Sequence, residues 1–516
     1  MAFLRSVATV GGNTLVSRLL GYVRDMLTAA AIGAGPMADA FLVAFRFPNL
    51  FRRLFAEGAF NAAFVPQFAG AVATRGRDAA RQFAEDTLAV LLTVLLALLL
   101  VAEIAMPWII TGIAPGFRGD AERYGLAVEF TRITFPYLLF ISLVSLQGGV
   151  LNSLDRFAAV AFTPVLLNVC MIAALLLSAM LFPNAGTALS WGVTAAGVTQ
   201  FVWLAASCAQ AGMALRLPRP RLTPEVKKLL ALMLPAAIGG GVQQVNILID
   251  TVLASWLPTG SIAWLYYADR IYELPLAVIG IAVSTAILPL LARQVRSGQE
   301  AAALATQNRG LELGLLLTLP AAVGLFVLAE PIIAVLFERG AFGAADVRGT
   351  AAALAAYAFG LPAFVLVKIL APGFYAREDT RTPVRIAIVC VAVNTAIGLV
   401  AMQVFRHVGL AIATVCSAWL NTVLLALALK HRKAFAPSAV LRTRVPRMLA
   451  ASIVMGGALW LALPFAMKWL TAGHTLTRAT ALAILVAGGA AVFFVLALAL
   501  RATDAGEALR ALRRGA

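Results

Sequence analysis

Apolar runs of about 20 residues recur from one end of the chain to the other, which is the length at which an α-helix crosses the hydrocarbon core of a bilayer. Their limits fall near 7–32, 36–68, 84–110, 124–152, 158–182, 186–212, 226–256, 261–292, 306–328, 349–376, 383–405, 408–430, 447–469 and 479–501. Strands of a membrane barrel would alternate apolar and polar positions in segments of about ten residues, and no such stretch is evident. The pattern predicts an all-α polytopic membrane protein with about fourteen transmembrane helices. Several runs exceed 25 residues, so those helices must tilt, bend or project from the bilayer. The first run is interrupted by Arg18 and Arg24 and lacks a small-residue cleavage site, so it is expected to be an uncleaved span.

The connecting turns alternate in basic residues. One set holds Arg75, Arg77 and Arg81, then Arg156, then Arg216, Arg219, Arg221, Lys227 and Lys228, and continues so to the C-terminus. The turns near 33–37, 183–187 and 257–260 have no Lys or Arg. Lys and Arg accumulate on the cytoplasmic side, so the rich set, and with it both termini, is expected in the cytoplasm. An even number of spans follows.

Four short stretches recur in order at an offset of about 220 residues, the mark of a repeat transporter fold. VPQFAG (65–70) pairs with LPLLAR (288–293) and FPYLLF (135–140) with LPAFVL (361–366). TPVLLNVC (163–170) pairs with TPVRIAIVC (382–390), and GVTAAGVT (192–199) with GLAIATVC (409–416). The expected organisation is an N-terminal six-helix lobe at 1–212, a Pro-rich cytoplasmic linker at 213–225 and a second six-helix lobe at 226–433. Residues 434–516 add two further helices and a cytoplasmic tail. Equal span parity makes the two lobes a parallel repeat about a pseudo-two-fold axis along the membrane normal.

Composition adds two points. With 61% hydrophobic and 13% charged residues among 516, and a mean hydropathy of +0.90, the chain has too few charges to cover a soluble surface of this size. Its net charge of +17 suggests nucleic acid in other contexts, but here the basic residues punctuate apolar spans. Topology accounts for them, and no nucleic-acid partner is expected. The four cysteines lie singly in apolar runs, and the three histidines (His407, His431, His474) sit at span ends without metal spacing. No nucleophile, Walker or zinc pattern stands out, so a non-enzymatic transporter with no cofactor is expected. It would be driven by the membrane potential, sodium, protons or the substrate gradient.

The first two runs carry the candidate chemistry. They hold Arg18, Arg24, Asp25, Asp39, Arg46, Arg52, Arg53 and Glu57. An ionisable group at the bilayer centre costs about 2.5–3.5 kcal/mol even on the lenient insertion scale, so these groups must line a wet cavity or pair with one another. Asp39, Arg46 and Arg53 are spaced by seven, which drifts only about 20° per step on a helix, and Glu57 follows Arg53 by four. Asp269, Arg270 and Glu273 repeat the theme in the eighth run. Read functionally, Arg18, Arg24, Arg52, Arg53 and Arg270 bind a diphosphate or carboxylates, which a planar guanidinium suits. Asp25, Asp39, Glu57 and Glu273 hold the arginines or re-pair as gates. Read structurally, the same residues are interhelical salt bridges. Gly239, Gly240 and Gly241 mark either a hinge or a close helix contact. Asp250 is a further acid, and Lys368 a further base, set within apolar runs.

SRLLGYVRD (17–25), ADAF (38–41), RFPNLFRRLFAEGAFNAAFVP (46–66) and YYADRIYELPLAVIGIAVSTAILP (266–289) strongly resemble the MurJ (MviN) family of lipid II flippases. That family lies within the multidrug/oligosaccharidyl-lipid/polysaccharide exporter superfamily, and the resemblance spans essentially the whole chain. It implies a bacterial inner-membrane protein that moves lipid II, the polyprenyl-diphosphate-linked peptidoglycan precursor, to the periplasmic leaflet by alternating access through a central cationic cavity. It implies roles for Arg18, Arg24, Asp25, Asp39, Arg52, Arg53, Arg270 and Glu273, and a lipid-tail groove for the two additional helices at 434–516. Some members hold sodium. Asp250, Asn394 and Thr414 are compatible with such a site, while Gly398 stands where a second acid is wanted. The rivals are a flippase for another polyprenyl-linked glycan, a drug exporter, which would want an acidic cavity, and a polyprenyl-phosphate-dependent glycosyltransferase or ligase, which would want a catalytic acid or His in a sizeable periplasmic loop.

Overall fold

The computed structural model describes residues 2–53, 60–471 and 474–503. The helices are α1 (Ala2–Ile32), α2 (Pro36–Phe51), α3 (Phe60–Ile113), α4 (Ala121–Thr134), α5 (Tyr137–Ser153), α6 (Phe157–Leu176), α7 (Ser178–Leu181), α8 (Ala185–Gln210) and α9 (Pro224–Ser255). There follow α10 (Ser261–Pro275), a π-helical stretch at Leu276–Ile281, α11 (Ala282–Arg296), α12 (Glu300–Val327) and α13 (Ala329–Phe337). The last are α14 (Ala344–Ala358), α15 (Leu361–Tyr375), α16 (Arg381–His431), α17 (Ala439–Thr471) and α18 (Thr475–Ala499). The only isolated β-bridge among the described residues joins Arg339 and Phe342.

Among the described residues, nine helices are long and apolar enough to cross a membrane, and the pair α14–α15, bent by 42°, makes up to ten. Two of the long helices are hairpins. Phe64 and Phe83 of α3 stack with centroids 5.5 Å apart, although a straight helix would separate them by roughly 28 Å; the chain doubles back at Gly76, whose φ is 84°. In α16, Ser417 donates to the Cys390 carbonyl at 2.8 Å, and the reversal falls at Arg406, with φ 51°. Thus α16 holds both expected spans at 383–430. The first two runs contain α1, kept off the apolar count by Arg18, Arg24 and Asp25, and α2, only 16 residues long. The described helices are consistent with fourteen spans, and the chain is a multi-pass membrane protein.

Packing divides the chain into one unit of 1–263 with 339–342, and a second of 264–338 with 343–516. The repeated prolines mark matching breaks within each. Pro136 separates α4 from α5, and Pro362 opens α15 after α14. The packing boundary differs from the repeat boundary at 226. In the first unit α9 lies on α3 and on the 3₁₀ turn Pro115–Gly119, where the Gly116 amide donates to Ser255 Oγ at 3.0 Å. In the second unit the appended α17 is tied to α12: Glu312 receives both Arg309, at 3.3 Å, and Arg444, and Asn308 bonds the backbone of Ala436 and Ser438 at 2.9 Å each.

Residues 339–342 belong to the first unit because they interlock with the end of α1. The Ala341 amide donates to the Ala30 carbonyl at 2.8 Å. Gly33 and Gly340 have φ of 60° and 57°. A Cβ on Gly33 would lie 2.5 Å from the Ala341 carbonyl oxygen, and one on Gly340 would collide with the Ala30 carbonyl. Gly340→Ala therefore combines a left-handed backbone with a backbone clash. We expect it to cost about 1–3 kcal/mol, read as a lowered thermal midpoint of the purified chain.

Candidate functional site

In the first unit α1 carries a buried ion pair about two turns before its C-terminal end. Arg24 and Asp25 are 4% and 3% exposed. The guanidinium donates to one Asp25 oxygen twice, from Nη2 at 2.6 Å and Nε at 3.1 Å. Its Nη1 donates to Asn168 Oδ1 on α6 at 3.0 Å, and its face lies 5.9 Å from the Phe45 ring centroid on α2. Asn168 is itself fixed, because its Nδ2 donates to the Ser17 carbonyl at 2.9 Å and the Pro164 carbonyl at 3.1 Å. Ser17 lies two turns before Arg24, so Asn168 clips α1 to α6 and aims the guanidinium. Arg18, on the same helix, is exposed.

A second buried network centres on Asp39 near the start of α2, which has no exposure. Its carboxylate accepts from the amides of Gly260, at 2.8 Å, and Ala263, at 3.1 Å. It also pairs with Arg123 of α4 at 3.4 Å. Arg123 in turn pairs with Asp120 at 3.0 Å, donates to the Leu257 carbonyl at 3.4 Å, and lies over the Phe117 ring at 4.6 Å. Asp39 thus satisfies amides that open a helix, where a negative charge is favoured by the exposed N–H groups. It holds the 257–263 segment onto α2 and α4. One helical stretch on, Arg46 donates to Thr251 of α9 at 3.2 Å. Arg52 follows the end of α2 and donates from Nε to Asn49 at 2.9 Å, while Arg53 beside it is exposed. Glu57 lies outside the described residues.

In the second unit Arg270 and Glu273 pair at 3.5 Å on one face of α10, and the Arg270 guanidinium lies 5.4 Å from the Tyr266 ring centroid. Both are partly exposed, at 32% and 44% of their side chains, so this guanidinium has open surface that Arg24 lacks. Just beyond it, at the π-helical stretch, the stem of Lys368 packs over Gly280.

Gly239, Gly240 and Gly241 lie inside the unbroken helix α9. Asp250 accepts from Asn246 at 3.0 Å within α9. Asn394 is buried on α16, and the Thr414 hydroxyl donates to the Leu410 carbonyl at 3.0 Å. Among the described residues no group of three or more His, Cys, Asp or Glu side chains is arranged to hold a metal.

Asn168 and Arg123 are the partners that the sequence reading passed over. The signal for Asn168 was an amide in an otherwise apolar span. For Arg123 it was an arginine three residues after an N-capping Asp120, which reads as a solvated helix start.

A family model described as lipid II flippase MurJ matches residues 28–480. A protein of Rhizobium meliloti named probable lipid II flippase MurJ is 46% identical, over all of this chain and 97% of its own length. The solved structure of a lipid II flippase MurJ in an inward closed conformation superposes with a TM-score of 0.79 at 25% identity, covering 94% of this chain and 97% of that one. An inward-facing multidrug transporter of the MATE family superposes at 0.69 with 14% identity, over 81% and 94%, which extends the likeness of fold to the MOP superfamily. The match to residues 28–480 and the full-length identity place the chain in the lipid II flippase MurJ family.

Proposed function

We infer that the chain is a lipid II flippase of the bacterial inner membrane, working by alternating access through a central cationic cavity, with both termini in the cytoplasm. The observation that carries this reading is the buried guanidinium of Arg24, held in one orientation by Asp25 and Asn168 within α1, which the apolar pattern reads as the first span. A carboxylate that closes on the guanidinium offsets the cost of an empty site. A diphosphate carries more charge and more acceptor oxygens, so it displaces Asp25 and takes the planar fork. Arg18, Arg52 and Arg53 supply further cations in the first unit, and Arg270 supplies one in the second. Glu273 is to Arg270 what Asp25 is to Arg24.

The polyprenyl tail stays in hydrocarbon throughout, against α17 and α18. Their surfaces expose Trp460, Phe465, Ile484 and Val495. Asp39 closes the 257–263 segment in one state and releases it in the other, with bending at Gly239–Gly241. Resetting draws on the membrane potential, where one charge crossing is worth about 2.3 kcal/mol per 100 mV, or on a sodium or proton gradient. Asp250, Asn394 and Thr414 are proposed to serve the sodium route.

Depletion of the protein in cells tests the reading. Lipid-linked precursor should accumulate in the inner leaflet, and normal export would refute it. Arg270→Ala is expected to insert and accumulate normally yet fail to restore export. Full complementation would remove Arg270 from the substrate path.

A further inference from the structure

A charged cavity of about 450 Å³ lies in the first unit, lined by none of these arginines. One wall is the segment of α3 after the Gly76 bend. The other is the extended strap 213–223, which Pro218 and Pro220 keep from coiling. The strap is fastened to α3: the Arg216 amide donates to Glu85 at 2.9 Å, and Arg75 pairs with Glu225 at 3.0 Å. Arg81 is taken by Asp78 at 2.6 Å. Among the described residues, no hydrogen-bond partner remains for the guanidinium groups of Arg219 and Arg221. None remains for Asp86, which lines the cavity at only 8% exposure and is reached by the field of the Arg221 charge.

A simple anion there would meet Glu85 and Asp86, and a simple cation would meet the arginines. Only a ligand carrying both signs finds an opposite charge on each wall. The apolar run of α3 begins at Leu88, two residues beyond Asp86. Leu217 and Leu222 of the strap are 61% and 58% exposed beside the arginines. This mixture of exposed leucine and arginine suits the boundary between headgroups and acyl chains, whereas a soluble zwitterion would not need the leucines.

We propose that the strap and the adjoining end of α3 form a headgroup site for a zwitterionic aminophospholipid, with Arg219 and Arg221 on its phosphate and Asp86 and Glu85 on its ammonium.

The test is native mass spectrometry of the full chain purified with equal phosphatidylethanolamine and phosphatidylglycerol. The wild-type chain should retain phosphatidylethanolamine with a preference of about tenfold, equivalent to about 1.4 kcal/mol. Asp86→Asn should abolish that preference while still retaining lipid. Arg219→Gln with Arg221→Gln, both on the exposed strap, should reduce retention of either lipid. Equal retention by the wild-type chain, or an undiminished preference in Asp86→Asn, overturns the proposal. Free O-phosphoethanolamine should leave the bound lipid in place; displacement by it would assign the cavity to a soluble ligand and overturn the lipid assignment.

Discussion

Arg24→Ala is expected to abolish precursor export. Arg24 makes charge-assisted hydrogen bonds to Asp25 and Asn168, and in the proposed cycle passes them to the diphosphate. Each such bond is worth about 1.5–3 kcal/mol, or roughly 10- to 100-fold in rate if lost from the bound state. Truncation also leaves Asp25 charged, 3% exposed and without that partner, a loss that costs about 3–5 kcal/mol for a buried pair. The single variant therefore confounds binding with stability. Arg24→Ala combined with Asp25→Asn also removes the carboxylate charge, and should recover accumulation and thermal stability without recovering export. Arg24→Lys keeps the charge but not the planar fork, and should fall between wild type and alanine in export. If the double variant exports normally, Arg24 is a structural ion pair and no more.

The second large effect belongs to Asp39. Asp39→Ala removes the acceptor of the Gly260 and Ala263 amides and the partner of Arg123 in a site with no exposure. The expected cost is again about 3–5 kcal/mol, because a buried arginine loses a carboxylate. The loss is local to the 257–263 segment, so hydrogen exchange of those amides should accelerate while exchange in α6 and α8 stays as in the wild-type chain. Asp39→Asn retains one acceptor oxygen and should fall between. Unchanged exchange at Gly260 and Ala263 in the alanine variant would show that Asp39 does not hold the segment.

The helical architecture was legible because it rests on one-dimensional signals. Apolar runs of membrane length appear where the helices are, although the expected runs 124–152 and 349–376 are each broken, at Pro136 and just before Pro362. The hairpin turns at Gly76 and Arg406 fall between the expected spans. The membership of α9 was not legible. A sequence repeat records covalent order, whereas the bond from Gly116 to Ser255 is a tertiary choice.

The site followed the same rule. Charges set in apolar helices announced Arg24, Asp25 and Asp39, because burying them is costly whatever their partners, and the same pattern picked out the partly exposed Arg270. Periodicity did not reveal which groups they meet. Arg18 and Asp25 share a stripe by spacing, yet Asp25 is taken by the adjacent Arg24, whose long stem folds back onto it. Asp39 pairs across 84 residues with Arg123, and Arg24 across 144 with Asn168. Arg270 and Glu273, three apart on one helix, were the pair that local spacing could find, and they do meet.

The most direct test of the central claim is transbilayer movement by the purified chain. Proteoliposomes holding fluorescent lipid II would be given a membrane-impermeant quencher, and the fraction protected followed over time. Wild-type chain should bring nearly all of the lipid within reach of the quencher, while the stable Arg24→Ala, Asp25→Asn chain should leave the inner-leaflet half protected, as protein-free vesicles do. Equal movement by the two chains would contradict the claim that a buried guanidinium carries the diphosphate across.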